Sequence, residues 1–180
     1  MEIIETERLL LRRPRRSDEL AVFSRYASDP DVTRYMSFPT HQSLDDTRAF
    51  IEWCDTLWAR WPKAGPLLVF ARDGVTLLGG AGIVNDSESV AQIGYILARD
   101  AWGRGYATEA LLASVEAARA AGVRRLEAGV HVDHQPSCHV LEKAGFVRER
   151  VRPGRACTIG GSGGTSRVRA SATLPSSSGT

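Results

Sequence analysis

The spacing of hydrophobic and polar residues predicts a strand followed by two helices. Three leucines between charged flanks predict the strand over Arg8 to Arg12. Polar residues 17–19 offer a cap and an acidic first turn for a helix that reaches about Ala27. A second helix begins near Ser43, where apolar residues start to recur at steps of three and four. Its apolar face consists of Phe50, Ile51, Cys54, Leu57, Trp58 and Trp61.

Two apolar runs further along the chain predict a β-hairpin. The runs extend from Pro66 to Arg72 and from Val75 to Val84, and the turn signal Asp73-Gly74 separates them. Glycines interrupt the second run, which predicts a bulge or a close approach of two backbones. These glycines are Gly79, Gly80 and Gly82.

The next segment predicts a strand, a helix and a second strand in succession. An apolar strand covers Val90 to Leu97, a helix runs from Gly105 to Gly122, and another strand covers Arg125 to Val132. A short helix from Ser137 follows and ends at Gly145. This order of elements predicts an α/β fold with one mixed, mostly antiparallel sheet and helices on both faces.

Length and composition favour one domain and exclude several classes of protein. The chain has 180 residues, of which 43% are hydrophobic, enough for a sizeable core. A net charge of +2 does not predict nucleic-acid or membrane binding, and the basic run Arg12 to Arg16 is interpreted as a solvated surface. Three widely spaced cysteines form no disulfide framework, which favours the cytoplasm. The sequence shows no signal peptide and no long apolar segment, so secretion and membrane spanning are not expected.

The composition changes near residue 154. We therefore predict a domain over residues 1–153 and a low-complexity segment over 154–180 that adds little to cofactor binding but limits the use of a second substrate. Weak alternation from Ser166 to Leu174 is compatible with a poor last strand. A linker-like tail, or a change of reading frame near Arg155, is an equal alternative.

The glycine-rich turn between the strand ending at Leu97 and the next helix predicts an anion site. Gly103, Arg104 and Gly105 lead into a helix N-terminus, whose unpaired N–H groups and dipole favour a phosphate. A turn without a ligand is the plain alternative. The chain lacks the Walker motif, but a dinucleotide site is a further alternative, with Glu127 as its acidic residue.

Several motifs together resemble the GNAT superfamily of acetyl-CoA-dependent N-acetyltransferases. These motifs are WGRGYATEALL and VLEKAGF, and the segments ETERLLLRRPRRSD and SDPDVTRYM narrow the resemblance to its RimJ/RimL-type branch. The resemblance implies a V-shaped splay between the family's fourth and fifth strands, here Val90 to Leu97 and Arg125 to Val132. It implies acetyl transfer to a primary amine, either a protein N-terminus or a small molecule, by a monomer or homodimer. The alternative is a module that binds acetyl-CoA with little catalysis.

The resemblance also assigns the cofactor side of the site. It implies that acetyl-CoA lies in the splay, with pantetheine on the backbone of the fourth strand and the pyrophosphate on the glycine-rich turn. The aromatic face of the second helix is interpreted first as core, and the alternative is that this helix and the loop from Tyr35 to His41 wall the acceptor pocket. The expected cofactor-binding residues are Leu97, Trp102, Gly103, Arg104, Gly105, Tyr106, Ala107 and Thr108.

The catalytic residues implied by the resemblance are Ser137, His134 and Gln92, and no metal is expected. Ser137 matches the family's serine that protonates the departing thiolate, and it is also predicted to cap its helix. His134 stands where the family has a cofactor-contacting Asn. Gln92 stands where many members have a Glu base, and an amide accepts no proton near neutral pH. The substitute bases are Asp86, Glu88, His131 and His134.

Overall fold

The computed structural model describes residues 3–85, 89–131, 133–149 and 167–174. The strands are β1 (Ile3–Glu5), β2 (Leu9–Arg12), β3 (Pro66–Ala71), β4 (Leu77–Asn85), β5 (Val90–Leu97), β6 (Arg125–His131), β7 (Val147–Glu149) and β8 (Arg167–Thr173). The helices are α1 (Glu19–Val22), α2 (Pro30–Thr33), α3 (Leu44–Arg60), α4 (Tyr106–Ala120) and α5 (Gln135–Lys143). A 3₁₀ turn precedes α1, and a π-helical turn, Phe23–Ala27, extends it.

The described strands form one sheet in the order β1-β2-β3-β4-β5-β6-β8-β7. The pair β5–β6 is parallel, and the other neighbours are antiparallel. The predicted mixed, mostly antiparallel sheet is therefore confirmed. The chain in the structure also has β1 and α2, which the hydrophobic pattern did not predict because both are very short.

Helices cover both faces of this sheet. On β3, Leu67 and Val69 pack in a cluster with Ala110 of α4. The alternate residues, Leu68 and Phe70, pack in a second cluster with Val22 of α1. Because successive side chains of a strand point to opposite faces, α1 and α4 lie on opposite sides of the sheet, as predicted.

The interpretation of the basic run as a solvated surface is wrong for its first two residues. Arg12 makes a 2.7 Å ion pair with the buried Asp18 and stacks 4.3 Å from the ring centroid of Phe70. Arg13 lies 4.6 Å from the ring centroid of Trp58. In both cases the guanidinium group lies over an aromatic ring of the core, so these two side chains pack against the protein instead of extending into solvent.

The parallel strands β5 and β6 separate after a short paired segment. Their register pairs Val90 with Arg125, Ala91 with Leu126 and Gln92 with Glu127, and it stops there. Beyond this point the opposite edge of β6 continues to pair with β8 as far as His131. The strands thus form the two arms of the expected V, and we call the space between them the gap.

The strand β8 lies between β6 and β7 and comes from the segment with low-complexity composition. Its register with β6 extends from Thr173 opposite Arg125 to Arg167 opposite His131. Ser171 is buried, and Leu174 joins the main hydrophobic cluster. Of the alternatives open for this segment, the structure shows the strand. The predicted boundary at residue 153 falls outside the described residues and stays a prediction.

Candidate active site

The glycine turn, which we define as residues 102–108, lies at the open end of the gap. Gly103 and Gly105 have φ values of 70° and 80°, a region that favours glycine. Gly105 is the N-cap of α4, and no side chain caps this helix. The first N–H groups of an α-helix have no partner within the helix. The turn therefore presents backbone donors and the positive end of the α4 dipole, as an anion site requires.

Trp102 joins the glycine turn to the end of β5. Its indole Nε1 donates a 2.8 Å hydrogen bond to the carbonyl oxygen of Leu97, while about half of the residue stays exposed. Just after β5, the N–H of Ala98 donates to the carbonyl of Leu78 in β4. Backbone groups of successive residues along a strand point to opposite edges, so those of Leu97 and Tyr95 point away from β4. By this alternation the backbone groups of Tyr95 and Leu97 face the gap. The structure thus leaves the Leu97 N–H directed at the gap, while its carbonyl holds Trp102.

A cluster of charged side chains packs against the glycine turn. Arg8 donates to the carbonyl of Arg104 at 2.9 Å and pairs with Glu109 in the first turn of α4. The guanidinium carbons of Arg8 and Arg104 lie 4.8 and 5.1 Å from the centroid of the Tyr106 ring. Partial burial raises the pKa of Glu109, but hydrogen bonds from Thr6 and Arg8 outweigh it, so the net pKa is lowered. Arg8 is not among the site residues expected from the sequence.

Tyr95 and Ser137 connect the gap to α5. The phenol oxygen of Tyr95 lies 2.7 Å from the Ser137 Oγ and also donates to the Ser137 carbonyl at 3.2 Å. Burial raises the pKa of Tyr95 to about 12, although the bond to Ser137 opposes this, so the phenol is neutral at physiological pH. The pair therefore places two hydrogen-bonded hydroxyl groups beside the gap. Tyr95 is not among the site residues expected from the sequence, because the resemblance gave β5 a role only through its backbone.

The prediction that Ser137 caps α5 is wrong. The N-cap is His134, which makes no side-chain cap bond, and Pro136 follows in the first turn. Ser137 is the third residue of the helix, and its backbone N–H donates to the His134 carbonyl at 3.0 Å. Its hydroxyl contacts Tyr95 instead.

Two histidines and a tyrosine form a cluster at the end of β6. The Tyr35 ring lies 5.0 Å from His131 and stacks on His134 at 4.6 Å, measured between centroids. Burial, and then the neighbouring His131, lower the pKa of His134, so its imidazole is neutral near pH 7. The His131 Nδ1 accepts the Asp133 N–H at 3.2 Å. The ring contacts of Tyr35 with His131 and His134 bring the loop that begins at Tyr35 to the edge of the gap.

Gln92 lies on the opposite face of β5 from the Tyr95–Ser137 pair. The odd-numbered residues Ala91, Ile93 and Tyr95 pack with the α4 side, whereas Ile96 packs with the α1 side. Alternation places Gln92 with Ile96. Glu127 is its register partner on β6. The substitute bases Asp86 and Glu88 lie outside the described residues.

Comparison with known proteins identifies the family. Residues 8–147 match the family described as acetyltransferase (GNAT) domain. The uncharacterized N-acetyltransferase p20 of Bacillus licheniformis is 30% identical over 152 residues, which cover 83% of this chain and 84% of that protein. A GNAT-family acetyltransferase from Bacillus anthracis has a TM-score of 0.81 at 25% identity and covers 95% of this chain and 98% of its own. RimL, a ribosomal L7/L12 alpha-N-protein acetyltransferase in complex with coenzyme A, gives 0.80 at 22% identity, with 96% and 98% covered.

The fold with its V-shaped gap, together with the family match over residues 8–147, identifies an acyltransferase that uses a coenzyme A thioester. The chain belongs to the GNAT family of acetyltransferases, and acetyl-CoA is its acetyl donor. The predicted family is confirmed, and RimL, from the branch that the sequence motifs resemble, has the same fold. The dinucleotide alternative, with Glu127 as its acidic residue, is wrong. Across the parts of the chain that the structure describes, no helix has the length and hydrophobicity needed to cross a membrane.

Proposed function

We propose that this enzyme transfers the acetyl group directly from acetyl-CoA to the nitrogen of a primary amine. The observation that carries the proposal is the end of the β5–β6 register at Gln92 and Glu127, next to the Tyr95–Ser137 pair. The gap opens at that point, and both faces of the sheet border it. A thioester held in the gap is accessible to an amine from one face and to a proton donor from the other.

The cofactor side of the proposal uses the main chain. The N–H groups of the glycine turn hold the pyrophosphate, and Arg104 adds positive charge. The N–H of Leu97 pairs with the pantetheine in the manner of an added strand, while Trp102 fixes the carbonyl of the same residue. Tyr106, Ala107 and Thr108 supply the first turn of α4. His134 contacts the cofactor as a neutral hydrogen-bonding group.

The chemical step needs a nucleophile and a proton donor. The neutral amine nitrogen forms a bond to the thioester carbonyl carbon, and the carbon–sulfur bond then breaks. Ser137 donates its proton to the departing thiolate and is recharged through Tyr95, whose hydroxyl is 2.7 Å away. The amine loses a proton on the other side, so the products are an amide and the free thiol. Cys138 takes no part, because it is buried and transfer is direct.

The acceptor is a protein N-terminus or a small amine. RimL, a structural neighbour, is described as an acetyltransferase of a ribosomal protein. The pair of buried, unpaired thiols Cys54 and Cys138 supports a reducing cytoplasmic location. We also propose that the enzyme is a monomer or a homodimer and that it binds neither nucleic acid nor a membrane.

A thiol-release assay tests the proposal. Purified enzyme with acetyl-CoA is given a panel of peptides with free N-termini and small primary amines, and mass spectrometry identifies the acetylated product. We expect turnover on at least one class of amine. Tight binding of acetyl-CoA without turnover on any amine would instead support the binding module, which Gln92 in the place of a carboxylate favours.

A further inference from the structure

A carboxylate lies beside the position where the family places its base. Gln92 and Glu127 are register partners on neighbouring strands, and they form the last such pair before the gap. Paired strands lie about 4.8 Å apart, so the backbone of Glu127 is only one strand spacing away from that of Gln92. This proximity depends on the pairing register and is not visible in the sequence.

The side chains of Glu127 and Gln92 project from the same face of the sheet. On β6, Leu126, Ala128 and Val130 pack in the cluster that includes Leu111 of α4. Glu127 alternates with these residues and therefore points to the opposite face, away from α4. Gln92 points to that face as well. We call this surface, formed by Gln92, Gly94, Glu127, Gly129 and His131, the acceptor face.

The acceptor face is open where the gap begins. Gly94 and Gly129 follow Gln92 and Glu127 on the two arms, and both are exposed. A Cβ built on either glycine meets no atom within 4 Å. The Glu127 side chain itself is only 17% exposed, and its Oε1 accepts from the Nε of Arg125 at 3.1 Å. A shielded carboxylate thus lies beside open space at the start of the gap.

The other titratable groups of this region are less suited to take a proton from the amine. His131 lies at the far end of β6, and its Nδ1 already accepts the Asp133 N–H. His134 stacks against Tyr35 at the helix end. Glu127 combines a position at the start of the gap with a carboxylate, the group used as a base elsewhere in the family.

We infer that Glu127 is the general base that removes the proton from the attacking amine, directly or through one water. The inference rests on the proposed function. Glu127 takes the amine proton as the nitrogen–carbon bond forms, and the thiolate that leaves takes a proton from Ser137. Glu127 then releases its proton to solvent, and Ser137 recovers one through Tyr95. Protons and charge balance over the cycle, and no further reactant is needed.

Glu127→Gln and Arg125→Gln together test the inference. Both substitutions break the same ion pair, but only Glu127→Gln removes the carboxylate. We expect Glu127→Gln to lower kcat about 100-fold on the best amine of the panel, the usual effect of losing a general base. Arg125→Gln should stay within about threefold of the parent. The acetyl-CoA Kd, measured by calorimetry, should change less than about twofold in either variant.

A weakly basic amine provides a readout that a structural role would not move. Methoxyamine is already neutral at pH 7, so it depends less on a base. We expect the loss caused by Glu127→Gln to shrink to less than about tenfold with this acceptor. The double variant Gln92→Glu/Glu127→Gln, which returns the carboxylate to β5, should recover at least part of the lost rate.

The inference is overturned if folded Glu127→Gln turns over at the parental rate, or if Arg125→Gln loses as much activity as Glu127→Gln. If Glu127→Gln does not fold, Glu127→Asp decides, because it keeps the charge opposite Arg125 and withdraws the carboxylate by one methylene. A loss of about tenfold then supports the inference, and an unchanged rate overturns it. A parent that turns over no amine removes the proposed function as a whole, a result distinct from a failure of Glu127 alone.

Discussion

The glycine turn and the acceptor face border the same gap, but they are built in different ways. The glycine turn consists of consecutive residues, and its form follows from the positive φ values of Gly103 and Gly105. The acceptor face takes residues from two strands that the chain connects through the whole of α4. Its composition depends on how β5 and β6 pair.

Because of this difference, we expect the two halves of the active site to tolerate changes in the surrounding fold unequally. Backbone donors at a helix N-terminus keep their positions as long as the turn keeps its dihedral angles. A catalytic side chain on the acceptor face moves whenever the register changes, and a shift by one residue sends it to the other face. The cofactor side should therefore survive substitutions and truncations that alter the acceptor side.

The largest expected effect comes from removing β8. A chain that ends at Ser166 loses the strand between β6 and β7 and the buried Leu174. Burial of one leucine contributes about 1.5–3 kcal/mol, so we expect a total loss of at least about 3 kcal/mol in the free energy of unfolding. Urea denaturation measures it. A chain that ends at Pro175 serves as the control, and equal stability of the two truncated chains would show that β8 is dispensable.

Ser137→Ala tests the thiol side of the gap. We expect kcat to fall about 100-fold while the acetyl-CoA Kd changes less than twofold, because the hydroxyl is needed only as the thiolate forms. Ser114→Ala is a matched control. Its hydroxyl is fully buried in α4 and donates to the Ala110 carbonyl at 2.9 Å, so its loss should affect stability but not kcat. A parental kcat in Ser137→Ala would assign the proton donor to another group.

Gly105→Asp tests the glycine turn. A side chain is strained at a φ of 80°, and a negative charge repels the phosphate, so we expect acetyl-CoA affinity to fall at least about tenfold, or about 1.4 kcal/mol. Gly122→Asp introduces comparable backbone strain at the other end of α4, where φ is 92°. Calorimetry should show that Gly122→Asp binds acetyl-CoA normally. Equal losses in both variants would indicate a general effect of strain on folding.

Gln92→Glu tests whether the acceptor face already holds a base. From the sequence alone, a carboxylate at this position is expected to raise the rate about tenfold. With Glu127 as register partner, the second carboxylate raises the pKa of one of the pair and adds little, so we expect a gain of about threefold or less. Steady-state rates on the best amine decide. A gain of tenfold or more would mean that the parent lacks a base.

The smallest expected effect is a change in stability with pH. Burial, followed by the charge of His131, lowers the pKa of His134 below its ordinary value of 6.5. The unfolded chain therefore binds a proton first as the pH falls, and stability should decrease below about pH 6.5. His134→Gln should weaken this dependence in melting curves at pH 7.5 and 5.5. His139→Gln, which changes an exposed histidine on the same helix, should leave it unchanged.

The elements that depend only on neighbouring residues could be predicted from the sequence. The hairpin turn at Asp73-Gly74, the strand β5 and the glycine turn all follow from local spacing and from glycines at positive φ. The family resemblance rests on the same local motifs. These features follow from local steric preferences and residue spacing, so they can be predicted without a structure.

The tertiary structure alone decided which distant residues share the site. It placed Tyr95 against Ser137, set Glu127 beside Gln92, and inserted β8 between β6 and β7. Each result depends on strand register and on which face of a strand packs against the helices. Register is chosen by the free energy of burying apolar residues across the whole sheet, a sum that no local stretch of sequence contains.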